Sequence, residues 1–161
     1  MARLTLLREN SHLPLEGWSY WIWAMAPSNT IRKGTKPRRH GEVGTMNPRI
    51  LAALNEVNPR VRIRNLCGVY EWRATVAFGW EPRVVYVGST RNLQNRIYGY
   101  CEKGNHKSAL VDDALRRGYE LWVRFKPAEN EEQARRMENE LLAMYNYAWN
   151  VRRNALRVIL P

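Results

Sequence analysis

The chain has 161 residues, enough for one domain with a single core, and 45% of them are hydrophobic. Lysine and arginine number 26 against 15 aspartate and glutamate, and the net charge of +11 points to polyanionic partners, nucleic acid before an acidic membrane surface. No apolar run approaches the ~20 residues of a spanning helix, and Cys67 and Cys101 alone cannot build a disulfide framework or a cysteine-rich zinc site.

At the N-terminus, Glu9, His12 and Glu16 fall where a secretory signal needs an apolar stretch. Trp18, Tyr20, Trp21 and Trp23 crowd together before Pro27, which suits a core cluster covering a sheet or a stack for an unpaired base. Residues 28–48 are rich in Gly, Pro and cations, with Arg32, Lys33, Lys36, Arg38, Arg39 and His40, and read as a basic loop. Asn47 as N-cap and Pro48 at the first helical position predict a short helix burying Ile50, Leu51 and Leu54. Residues 1–64 are expected to form an extension that packs on a core of residues 65–161.

The second half is more regular. Tyr70, Trp72, Ala74, Val76 and Phe78 alternate with mostly polar neighbours, the period of a strand. Gly79 to Pro82 reads as a turn and Arg83 to Val87 as the returning strand. A hairpin centred near Phe78 sets Tyr70 and Tyr86 on one face. Ser89 or Thr90 caps a helix carrying Leu93, Ile97 and Tyr100, and a second helix runs from about Lys107 to Arg117, closed by Gly118. Tyr119 to Phe125 reads as a third strand and Asn130 to Tyr145 as a long helix. The order is that of an α+β fold with one small sheet.

Several side chains in this half carry chemistry. Arg96 follows Leu93 and precedes Tyr100 on one side of its helix, where a guanidinium can clamp a phosphate. Glu138 stands in an apolar stripe of Ala134, Leu141, Leu142 and Tyr145, a costly place for a carboxylate unless it is paired or holds a metal. Glu131 and Glu132 suit the N-terminal end of that helix, and Glu140 can pair with Arg136. His106 either caps a helix or contacts a tyrosine or phosphate. Asn150 is a turn residue or a buttress of the site.

Gly68-Val69-Tyr70, then Tyr86-Val87-Gly88, Arg96, His106, Glu138 and Asn150 occur in an order that resembles the GIY-YIG nuclease superfamily, which cuts phosphodiester bonds with one divalent metal. The resemblance spans Cys67 to Asn150. It implies a small antiparallel three-stranded sheet flanked by helices, behind an N-terminal aromatic and basic extension. It also implies catalytic roles for Tyr70, Tyr86, Arg96, His106, Glu138 and Asn150, with Mg²⁺ or Mn²⁺ on Glu138. One of the two tyrosines would activate the attacking water, and the residues do not say which. Ser89 departs from members with Lys after the second triplet, so one phosphate contact is either missing or supplied by Lys107 or a loop cation. The nucleic-acid footprint is expected on Arg32, Lys33, Lys36, Arg38, Arg39, Arg91, Tyr100, Lys107, Arg152 and Arg153, joined by Arg116 and Arg117.

The run Tyr145 to Asn150, with Leu66 to Glu71 upstream, looks like the plant branch of these proteins. That branch includes effector-of-transcription proteins and an endonuclease that partners the microRNA-processing machinery. The likeness implies a nuclear location and either DNA cleavage or gene regulation, with DNA or RNA as the nucleic-acid partner and a protein partner in transcription or RNA processing. With no base-reading module and with cations spread over several segments, cleavage is expected to select structure rather than sequence. The alternative the likeness leaves open is a nucleic-acid-binding regulator or adaptor that keeps the fold with little activity. No membrane role is expected. The closing run Arg157 to Pro161 suggests that the natural chain continues.

Overall fold

Residues on either side of position 64 share one sheet. The computed structural model describes residues 15–28, 35–38, 43–56, 66–76, 82–102 and 108–150. Its elements in chain order are β1 (Ile22–Ala26), β2 (Lys36–Pro37), β3 (Thr45–Met46), α1 (Ile50–Glu56), β4 (Gly68–Thr75), β5 (Arg83–Thr90), α2 (Leu93–Glu102), α3 (Ser108–Arg116), β6 (Glu120–Pro127) and α4 (Glu131–Met144). The strands lie in the order β2-β3-β1-β6-β4-β5, and every neighbouring pair is antiparallel. Among the described residues the sheet therefore has six strands rather than the expected three. The reason is β1, whose run Ile-Trp-Ala-Met-Ala has no polar alternation because it lies inside the sheet with β6 on one side and β3 on the other.

The two faces of β4 differ in chemistry. Tyr70, Trp72 and Ala74 stand opposite Phe125, Val123 and Leu121 of β6, and they pack with α1, α2 and α3 through Ile50, Leu54, Leu93, Ile97, Val111 and Leu115. The residues between them, Glu71 and Arg73, are equally buried. The polar positions in β4 thus face a second covered surface, not solvent. On that surface Val69, Val84 and Val87 meet Met137, Leu141 and Leu142 of α4.

The charges on this second surface are held by specific partners. Arg124 of β6 donates through Nε to Glu71 Oε1 at 2.7 Å, and the Tyr147 hydroxyl donates to Oε2 of the same carboxylate. Trp21 lies over both the Arg124 and Arg73 guanidiniums, at 4.3 and 4.6 Å, and Trp18 lies over Arg124 at 5.1 Å. Burial first, and then Arg124, holds the Arg73 pKa down at about 10. Of the aromatic cluster, Trp21, packed on two guanidiniums, is buried core, Trp18 and Trp23 are half-buried, and Tyr20 is exposed.

Helix ends follow local chemistry. Asn130 caps α4 by accepting from the Gln133 amide at 2.8 Å, while the Gln133 side chain accepts from the Glu129 amide. Asn92 caps α2 by accepting from the Asn95 amide at 3.0 Å. The expected caps differ here: Thr90 instead accepts from the Asn92 amide and sets the cap residue itself, and Ser89 points elsewhere. Gly118, at φ +92°, closes α3 with its amide on the Leu115 carbonyl.

Candidate active site

Tyr70 and Tyr86 come from adjacent strands and share a face, but they are not directly opposite. Tyr70 pairs with Gly88 and Tyr86 with Trp72, and one extra residue on β5 follows, between the Trp72 and Arg73 pairings. The real register differs by two from a hairpin centred on Phe78. A shift of two keeps every side chain on its face, which is why the shared face survives. The ring centroids of the two tyrosines are 6.2 Å apart.

The glycine opposite Tyr70 has a steric reason. A Cβ on Gly88 would lie 2.5 Å from the Tyr70 hydroxyl and 2.6 Å from its Cζ. Tyr70 thus lies flat across the strand edge only because residue 88 has no side chain. Gly68 is similar, since a Cβ there would collide with the Lys126 carbonyl of β6.

Tyr100 of α2 completes a three-tyrosine cluster. Its hydroxyl is 3.1 Å from that of Tyr70, and its ring centroid is 5.8 Å from Tyr70 and 6.2 Å from Tyr86. Burial is the main force raising all three hydroxyl pKa values; Tyr86 adds to it at Tyr70, Tyr100 at Tyr86, and Tyr70 at Tyr100. Arg96 pulls each of them down. Tyr100, expected on the nucleic-acid footprint, is instead an interior member of this cluster.

Arg96 lines an open cleft of about 410 Å³ with Ser89, Thr90, Arg91, Asn92, Asn95, Gly99 and Glu131. The cleft sits where the end of β5 passes into α2. Glu138 reaches its rim from α4, on the other side of the sheet, and its Oε1 accepts from the Ser89 hydroxyl at 2.8 Å. Burial raises the Glu138 pKa, opposed by that hydrogen bond and by Arg96. Glu138 is felt electrostatically at both Tyr70 and Tyr86. Two tyrosines, an arginine and a carboxylate thus come together from β4, β5, α2 and α4.

The donor set suits one hard cation of small size. Among the described residues no group of three His, Cys, Asp or Glu side chains could hold a metal. Mg²⁺ does not need one, because it keeps several waters and binds through one or two carboxylates plus substrate phosphates. Glu138 offers such a carboxylate, with one oxygen fixed by Ser89 and no lysine or arginine ion-paired to it among the described residues.

Asn150 acts on the backbone. Its Nδ2 donates to the Val87 carbonyl at 2.7 Å and its Oδ1 accepts from the Val87 amide at 2.8 Å. With the Trp149 amide on the Val85 carbonyl, the segment after α4 closes the outer edge of β5 beside Tyr86 and Gly88.

The expected phosphate contacts divide. Lys36, Arg91, Arg116 and Arg117 are exposed. Arg38 is not: it is buried, and its guanidinium donates to protein acceptors throughout. His106, Lys107, Arg32, Lys33, Arg39, Arg152 and Arg153 lie outside the described residues. Sequence reasoning gave Ser89 a helix cap and a departure from Lys but no contact with Glu138, and gave no task to Asn92 or Asn95. The Tyr-Val-Gly-Ser order held the signal for Ser89, since alternation turns residue 89 away from the tyrosine face and toward α4.

The family model for GIY-YIG domain-containing proteins matches residues 64–159, more than half of the chain, and the protein belongs to that family. The family is one of endonucleases, which indicates a nuclease-type function and binding to nucleic acid. No curated protein and no solved structure matches the chain. Among the described residues no helix is long and apolar enough to cross a membrane.

Proposed function

We propose that this protein is a divalent-metal-dependent endonuclease that hydrolyses phosphodiester bonds in DNA and selects branched, flap or nicked structure rather than sequence. The observation that carries the reading is that Glu138, held by Ser89, and the Tyr70–Tyr86–Tyr100 cluster all lie within electrostatic reach of Arg96, which lines one cleft with Ser89. Glu138 would hold Mg²⁺ or Mn²⁺ through the oxygen that Ser89 leaves open. When bound, the metal supplies Lewis-acid stabilisation of charge on the phosphate and lowers the pKa of nearby water.

The protein's own groups do the rest. Arg96 clamps a non-bridging phosphate oxygen and offsets the charge that grows there in the transition state. One tyrosine, ionised to its phenolate, orients the attacking water and accepts its proton, directly or through a second water, and the leaving oxygen of the broken P–O bond takes a proton from solvent. Burial opposes the anionic form of either tyrosine, and Arg96 is the cation of this chain that pulls both hydroxyl pKa values down toward it. Tyr86 is the better candidate for direct contact, being 7% exposed against 1% for Tyr70. Asn150 keeps the β5 backbone, and hence Tyr86, in place. His106, Arg32, Lys33, Arg39, Lys107, Arg152 and Arg153 would add substrate contacts, and exposed Lys36 and Arg91 would extend that footprint.

We further propose membership of the plant branch, a nuclear location and a protein partner in transcription or RNA processing, on the Tyr145 to Asn150 likeness. The test of the central reading is a cleavage assay with Mg²⁺ on duplex, flap and four-way DNA and on RNA, with Glu138→Gln beside wild type. Glu138→Gln should lower turnover by at least about 100-fold with DNA affinity unchanged, and Glu140→Gln should match wild type. Wild-type turnover by Glu138→Gln removes that carboxylate from the site. Tight, salt-sensitive binding with no cleavage by the wild type moves the protein to the regulator reading.

A further inference from the structure

We infer that Arg38, which lies outside the family-matched residues, is a positioning residue of the active site: it anchors the C-terminal end of α2 and thereby holds the Tyr100 hydroxyl against Tyr70 and Tyr86. Its Nε donates to the Cys101 carbonyl at 3.0 Å and its Nη2 to the Tyr100 carbonyl at 3.3 Å. Its Nη1 donates to the Val43 carbonyl at 3.1 Å and to Asp112 Oδ1 of α3 at 2.9 Å. One guanidinium therefore ties together the N-terminal segment, α2 and α3.

The position explains why an arginine is buried there. The last carbonyls of a helix have no amide partner within it, and the helix dipole places partial negative charge at that end. The last turn of α2 has no basic residue of its own. Arg38 supplies both the missing donors and the positive charge from 63 residues away in sequence. Its side chain is only 4% exposed, and Asp112 balances the charge. Lysine, a single ammonium, cannot reproduce this fork of donors.

The consequence falls on the site because Tyr100 sits at that same helix end. Its backbone carbonyl is held by Arg38, and its hydroxyl contacts Tyr70 at 3.1 Å. Arg96, one turn earlier on α2, moves with it. A shift of about 1 Å in such a constellation can cost turnover on the order of 100-fold while leaving binding alone. The composition of residues 28–48 suggested a phosphate contact for Arg38, which would have the opposite signature.

The turnover arm of the test rests on the nuclease reading; the exchange and affinity arms do not. Full-length wild type, Arg38→Met, Arg38→Lys and Tyr100→Phe would be compared for kcat and KM, and for DNA affinity across a salt series. Amide exchange over residues 96–102 would be read by mass spectrometry. Positioning predicts that Arg38→Met lowers kcat by about 10- to 100-fold at unchanged KM, affinity and salt slope, with faster exchange over residues 96–102. It also predicts that Arg38→Met and Tyr100→Phe are less than fully additive, because the two share the Tyr100 hydroxyl. Uniformly weaker binding with a salt slope reduced by about one would make Arg38 a phosphate contact and overturn the inference. So would wild-type kcat, or full additivity with Tyr100→Phe. If Arg38→Met does not fold, Arg38→Lys must show the same pattern at smaller size, and wild-type kcat and exchange in that variant overturn it. If the wild type cleaves nothing, the nuclease reading falls by itself, and unchanged exchange in the folded Arg38 variant overturns the anchor.

Discussion

Two carboxylates on the same side of the sheet, Glu71 and Glu138, are treated in opposite ways. Glu71 is fully buried, ion-paired with Arg124 and bonded to the Tyr147 hydroxyl, under a roof of Trp18 and Trp21. Glu138 is half-buried, accepts one hydrogen bond from Ser89, and sits near the Arg96 cleft with its pKa raised. The first charge is satisfied by the fold, and breaking its set leaves a charge in the interior. The second is desolvated without being satisfied, which is the condition of a group kept for a ligand.

The largest effect should come from breaking the first set. Glu71→Ala strands Arg124 among tryptophans and should cost about 3–5 kcal/mol of stability in urea denaturation. Its turnover, measured cold, should track the folded fraction. Glu138→Gln should behave conversely, with turnover lost and stability kept. Equal losses of stability in the two variants would make Glu138 a structural residue and end the contrast.

A smaller effect sharpens the tyrosine face. Gly88→Ala places a Cβ 2.5 Å from the Tyr70 hydroxyl, in a ring cluster with Trp72 and Tyr100 that has no room to yield. Overpacking of this kind costs about 1–3 kcal/mol. Tyr70→Phe should relieve only part of it, because Cζ and Cε1 of the ring remain within 2.6 and 3.1 Å. Gly99→Ala is the control: with no heavy atom within 4 Å of its Cβ and a helical position, it should stabilise by about 0.5–1 kcal/mol. Thermal melts of the three variants decide it, and a Gly88→Ala protein as stable as wild type would mean Tyr70 does not lie across residue 88.

The same contrast marks what sequence could and could not give. Periodicity identified β4, β5, β6 and the helices after them, because each buries a recurring apolar set against one layer. The all-apolar β1 has no alternation, so its place inside the sheet left no local trace. Glu71 and Arg73 looked like the wet face of a strand, and only partners 53 and 76 residues away turn that face into interior. Glu138 was legible for the opposite reason. A carboxylate in a helical apolar stripe conflicts with its own neighbours, and that conflict is visible within four residues on either side. Arg38 was misread because composition reports a basic segment without saying which of its cations the fold consumes.

The smallest expected effect is a pH dependence that separates the two carboxylates without any substrate. Burial raises the Glu138 pKa above 4.5, against the pull of Ser89 and Arg96. The folded protein thus holds this proton at a pH where the unfolded chain has released it. Stability contributed through this group then falls as pH rises from about the ordinary carboxylate value through the raised folded value. Glu138→Gln removes that loss, so in metal-free buffer its melting temperature should gain on wild type across that window and stay level below it. Ser89→Ala should widen the gap, since it deletes a hydrogen bond that favours the ionised form. Mg²⁺ should reverse the sign above the window if the open oxygen of Glu138 takes the cation, because a ligand that binds only the folded, ionised protein stabilises it. A melting-temperature difference that does not vary with pH, with or without Mg²⁺, would mean that Glu138 is neither desolvated nor open to the cation, and would remove it from the candidate site.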